Sequence, residues 1–70
     1  MSNKHWYPDN RNWIEYDGTT NPPPADTKVI VLLKWERNRK ITLAAPGRIA
    51  SDLCWQIRHH LGDIVAYLII

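Results

Sequence analysis

Phenylalanine is absent from this chain of 70 residues, cysteine and methionine each occur once, and glycine occurs only three times. Each shortage excludes something. A lone cysteine, Cys54, cannot close an intramolecular disulfide, which fits a reducing compartment. Neither G-x-G-x-x-G, a P-loop nor another anion-binding signature occurs. The longest apolar run, Ile64-Val65-Ala66-Tyr67-Leu68-Ile69-Ile70, falls far short of the ~20 residues that span a bilayer, so no membrane association is expected. No apolar stretch follows the first charge of MSNKHWYPDN, so no secretory leader is expected. Charge of one sign is also scarce. The formal balance is +2 with a pI near 8.9, weaker than the clustered excess of nucleic-acid binders. These absences describe a small protein of the cytoplasm.

What is present is aromatic and aliphatic. Four Trp and three Tyr each carry a polar handle, which suits half-buried sites and surfaces as well as a core. A chain this short makes one domain and buries only roughly 60% of its unfolded surface, so partner subunits commonly support it. The organisation read from the sequence is an N-terminal arm over 1–12 and a single small β domain over 13–70. The arm carries the pair Trp6-Tyr7 and the turn sequence Pro8-Asp9-Asn10.

Trp13-Ile14-Glu15-Tyr16 is β-prone and stops at the turn dipeptide Asp17-Gly18. Pro22-Pro23-Pro24 then stiffens a wide connection and excludes a close hairpin. Strand character runs over 27–36: Val29, Val31 and Leu33 share one face, and Lys28, Ile30, Leu32 and Lys34 share the other. A polar turn is expected over 36–40, and a returning strand over 41–45 before Pro46-Gly47. Residues 49–61 support two readings. Ile49, Leu53, Ile57 and Leu61 recur at helical spacing, whereas Leu53, Trp55 and Ile57 alternate as in a strand. A final strand is expected over 63–69, with Asp63 fixing the preceding turn through its side chain.

These pieces, in this order, resemble a family of small proteins encoded by tailed phages and prophages. The pattern is carried by Trp13-Ile14 with Gly18, Pro23-Pro24-Ala25-Asp26-Thr27, Val29 with Val31, the small residues Ala44 to Gly47, Trp55, and the closing Gly62-Asp63-Ile64-Val65-Ala66-Tyr67. It covers about residues 13–67, and the closing hexapeptide is its most specific part. The resemblance implies a compact antiparallel β domain in which the Trp55 segment is a strand. It also implies an accessory protein that inhibits or modulates a host protein, defence proteins included. The chain departs from the pattern at Ile30, Leu32 and Leu68, where the family places charged residues.

The fold class expected is therefore all-β, or β-rich α+β, as a small antiparallel sheet or barrel-like meander of four to five strands. No catalytic constellation is read. Cys54 with His59 or His60 lacks an oxyanion hole and a cleft, and adjacent histidines on a strand point to opposite faces and cannot share a metal. No enzyme activity, cofactor or metal is expected. The function expected is non-catalytic binding of a host protein through Trp6, Tyr7, Trp35, Arg37, Arg39 and Lys40, where aromatics sit beside the one basic cluster. The alternative is a module for single-stranded nucleic acid or a nucleotide signal, held by the same aromatics. A strand apolar on both faces must be covered on both, and one small domain supplies one core. Ile30, Leu32, Leu68 and Ile70 are therefore expected to form a homo-oligomer interface, a two-fold dimer being the commonest solution.

Overall fold

The structure, a computed structural model, describes residues 5–41 and 47–70. Two long apolar strands, β2 (Lys28–Leu33) and β4 (Ile64–Ile69), form its centre, flanked by two-residue strands β1 (Ile14–Glu15) and β3 (Arg48–Ile49). The sheet order is β1-β4-β2-β3 and every neighbouring pair is antiparallel. The fold is thus a β-rich antiparallel sheet, but not a meander, because the last strand inserts between the first and second. β-Branched and leucine side chains drive the two central strands. Val29 lies opposite Ile69, Ile30 opposite Leu68, Val31 opposite Tyr67 and Leu32 opposite Ala66.

Three expectations about local structure are corrected. The strand expected over 27–36 stops at Leu33, where the ladder to β4 shifts register, and Lys34–Arg39 forms a helix, α1, in place of the expected polar turn. Lys34, Glu36, Arg37 and Arg39 are good helix formers. Glu36, in the first turn, turns its carboxylate back to accept the Leu33 N–H at 2.8 Å, one half of a capping box; Leu33 has no side-chain acceptor for the other half. The first N–H groups of α1 donate to main-chain carbonyls before β4, Lys34 to Asp63 at 2.8 Å and Trp35 to Leu61 at 3.0 Å. Lys40 ends the helix in the left-handed conformation.

The second correction concerns residues 49–61. A 3₁₀ turn over Ala50–Asp52 leads into an extended stretch, so neither a continuous helix nor a laddered strand spans 53–58. Leu53, Trp55 and Ile57 are half-buried and alternate with exposed Cys54, Gln56 and Arg58. The period of two is real, yet the segment lies across the sheet face as its cover. The third correction is β3 at Arg48–Ile49, which pairs with Val29 and Lys28 and was not expected. Of the strand expected over 41–45, residues 42–45 lie outside the described residues, and Ile41 is not in a strand.

On that covered face sit Tyr16, Val29, Ile64 and Tyr67, packed by Val31, Leu33, Leu53, Trp55 and Ile57. Trp55 stands edge-on to both tyrosines, with ring centroids 5.3 Å from Tyr16 and 5.4 Å from Tyr67. Its polar handles are satisfied: the Tyr16 hydroxyl donates to the Trp55 carbonyl at 2.7 Å, and Trp55 Nε1–H donates to the Ala50 carbonyl at 2.8 Å. Gly18 turns the chain beside this layer at φ 87°, where a Cβ would meet Ile57 Cγ1 at 2.6 Å. Asp63 holds the turn into β4 as expected, its carboxylate accepting the N–H groups of Arg58, His59 and His60 at 3.1, 2.9 and 3.3 Å. Burial opposes its charge, but those three donors and the neighbouring His60 outweigh it and hold the carboxyl below its ordinary value.

Candidate binding surfaces

The opposite face of the sheet carries Ile30, Leu32, Ala66 and Leu68, with Glu15 beside Ala66 in the ladder. Within one chain Leu32 is 2% and Leu68 5% exposed, and Ile30 is half-buried. On this face the N-terminal arm and α1 meet at Glu15. Arg37 of α1 makes a two-pronged ion pair to Glu15, with Nη1 to Oε1 at 2.7 Å and Nη2 to Oε2 at 2.8 Å. The same guanidinium donates from Nε to the Trp6 carbonyl at 3.2 Å and lies 5.2 Å from the centre of the Tyr7 ring. The Tyr7 hydroxyl donates to Glu15 Oε2 at 2.7 Å, His5 Nε2 lies 3.6 Å from Oε1, and the Tyr7 ring stacks on Trp13.

Electrostatics follow from this crowding. Burial would raise the Glu15 carboxyl, but the hydrogen bonds from Arg37 and Tyr7 and the charges of Arg37 and His5 outweigh it, leaving it below its ordinary 4.5. Tyr7 is pushed above 10.0, first by burial, then by its bond to Glu15 and the charge there; Arg37 opposes both.

The expected contact residues therefore divide. Trp6, Tyr7 and Arg37 are gathered at Glu15 and spent on internal contacts, Trp35 is half-buried at the start of α1, and Arg39 and Lys40 alone are exposed. Of the expected oligomer contacts, Leu32 and Leu68 are already sealed within one chain and offer a partner almost no area, Ile30 offers a part, and Ile70 is 53% exposed. Much of the face expected to stay bare is thus closed within one chain.

A different surface is open. Ile14 is 41% and Ile69 51% exposed, diagonal neighbours on one face across β1 and β4, while the side chain of Ile70, next in the chain, reaches Gly47 beside Lys28. With Leu68 and the polar segment Asn10-Arg11-Asn12 they line an open groove of about 490 Å³. The Asn10–Asn12 wall is set by a local clasp. The Asp9 carboxylate accepts from Arg11 N, Nε and Nη2 and from Trp13 Nε1, at 2.7 to 3.0 Å. Those bonds, the Arg11 guanidinium first, hold the Asp9 carboxyl far below its ordinary value. Sequence reasoning named Ile70 here but missed Ile14 and Ile69. The signal was the aliphatic density of the closing run, which does not say which of its residues stay wet.

A second open hollow, about 520 Å³, lies between the Asp17–Thr19 turn and Trp55–Ile57, with His59 at its rim. Its one carboxylate, Asp17, is committed to Thr19, accepting the N–H at 2.9 Å and the hydroxyl at 2.6 Å. Cys54 is exposed and outside the hollow's lining. Among the described residues no three His, Cys, Asp or Glu side chains are grouped as metal ligands, and no helix is long and apolar enough to cross a membrane. Comparison with protein-family models, curated proteins and solved structures finds no match to this chain.

Proposed function

We propose that this protein is a non-catalytic binding module of the phage accessory kind, which inhibits or modulates a host protein, a defence protein included, in the bacterial cytoplasm. One observation carries the reading: Ile14 and Ile69, diagonal neighbours on one face across β1 and β4, are each roughly half exposed beside a groove with a polar wall. Fully burying an aliphatic side chain is worth about 1.5–3 kcal/mol, so these two side chains form an energetic centre ready for an apolar partner surface. The Asn10–Asn12 wall supplies hydrogen-bonding groups at the rim, the arrangement common to protein interfaces. The nucleic-acid alternative draws less support, because Arg37 and Arg11 are both engaged with carboxylates.

The test is capture from host lysate by the wild type and by Ile69→Glu, with protein and nucleic acid identified together. A specific host protein retained by the wild type and lost by the variant, at unchanged melting temperature, is the expected outcome. Recovery of nucleic acid alone, released steeply by salt, would transfer the proposal to the alternative.

A further inference from the structure

The arm docks on the Glu15–Arg37 cradle by few bonds. Among the described residues two hydrogen bonds tie it to the body, Tyr7 hydroxyl to Glu15 and Arg37 to the Trp6 carbonyl, aided by the guanidinium over the Tyr7 ring. Between this dock and β1 the chain bends through the exposed stretch Asp9–Asn12, held by contacts of Asp9 with Arg11 and Trp13. The bend has a cost in the sheet. β1 pairs with β4 only as far as Ile14 opposite Tyr67, so the β1 side of β4 beyond Tyr67 faces the groove. Continuing that antiparallel register by two residues would set Asn12 opposite Ile69. Straightening the bend therefore lengthens β1 along β4 and carries Trp6 and Tyr7 away from their own cradle.

We propose that the arm is exchangeable between two copies of this chain: the Asp9–Asn12 bend opens, β1 extends along Leu68–Ile70, and Trp6 and Tyr7 of each copy dock on Glu15 and Arg37 of the other. The occupant is a second copy because, among the described residues, the segment seated on the cradle is the chain's own arm. Exchange makes a dimer by reusing contacts already present, a low-cost route to association. Exchange fills the groove assigned to host binding, but its test contains no host component, so the two readings fail separately.

Asp9 is exposed and holds only the bend, so Asp9→Ala leaves both layers of the fold intact, with near-UV circular dichroism of Tyr16, Trp55 and Tyr67 as the check. Its dimer fraction in sedimentation velocity should exceed that of the wild type by about fivefold or more, the factor that accompanies loss of a modest clasp. Mixed isotope labelling of the Asp9→Ala dimer should give contacts between the Tyr7 ring of one chain and the Arg37 side chain of the other. Adding Arg37→Ala to Asp9→Ala should return the dimer fraction to the wild-type level or below. An Asp9→Ala protein that stays monomeric after refolding at high concentration, or a dimer whose Tyr7–Arg37 contacts are all within one chain, would overturn the exchange.

Discussion

Against one face of the sheet lie Leu53, Trp55 and Ile57, with Tyr16 and Tyr67 edge-on to the indole; against the other lie α1 and the arm, tied together at Glu15. The same two strands, β2 and β4, supply both faces. The first cover is neutral. It rests on dispersion and area removed from water, and its hydrogen bonds run between uncharged groups. The second cover hangs on a charged cluster in which one carboxylate gathers a guanidinium, a phenol and an imidazole. Leu32 and Leu68 on one face, and Val29 and Tyr67 on the other, are thus buried within one chain. The two closures differ in strength and in what disturbs them.

The largest expected effect breaks the neutral side. Trp55→Ala removes the ring between two tyrosines and should cost about 3–5 kcal/mol, most of the stability of a small domain. The melting temperature should fall by about 12 °C or more, and near-UV circular dichroism should collapse. A loss under about 1 kcal/mol would show that the 53–57 segment is not a real cover.

Arg37→Ala breaks the charged side instead. It leaves Glu15 half-buried without its bidentate partner and should cost about 1.5–3 kcal/mol, less than Trp55→Ala because the cluster is partly reached by water. The aromatic signal of Tyr16, Trp55 and Tyr67 should survive while amide exchange quickens across residues 5–13. Equal loss of protection on both faces would erase the distinction between them. Tyr7→Phe sharpens the comparison further. It keeps the ring beneath Arg37 and deletes one hydrogen bond to Glu15, so chemical denaturation should report about 0.5–1.5 kcal/mol and an unaltered dependence on core substitutions.

The smallest effect is a dependence on pH that only the charged face and the turns should show. Glu15 and Asp63 both have folded values below their ordinary 4.5 and 3.8. Their stabilisation is fully present above those ordinary values and is lost as pH falls through the lower folded ones. Tyr7 runs the other way: its folded value lies above 10.0, so its contribution is full below that pH and declines as pH rises past it. Denaturant midpoints should therefore be flat from pH 7 to about 4.5 and then decline. Glu15→Gln should flatten the first part of the decline, while Trp55 variants leave its shape unchanged.

Much of the framework was legible in the residues. The apolar alternation of β2 and the closing run marked both central strands and their double burial, and Asp63 announced its turn. Helix α1 was less legible, though Glu36 three positions after Leu33 and the basic residues at the end of α1 were signals of it. The 53–57 segment was misread for a specific reason. Alternation records that every second side chain is dry, and a cover lying across a sheet dries its side chains as a laddered strand does.

The sequence by itself determined the two long strands β2 and β4, their burial on both faces, and the turns at Asp17 and Asp63, because side-chain periodicity and turn chemistry act over a few residues. Only the tertiary structure decided what does the covering. Glu15 and Arg37 are 22 positions apart, Tyr16 and Trp55 are 39 apart, and β4 enters between strands that precede it. Such pairings depend on long-range register and on the competition of all apolar surfaces for one another, and no local pattern records which of them meet.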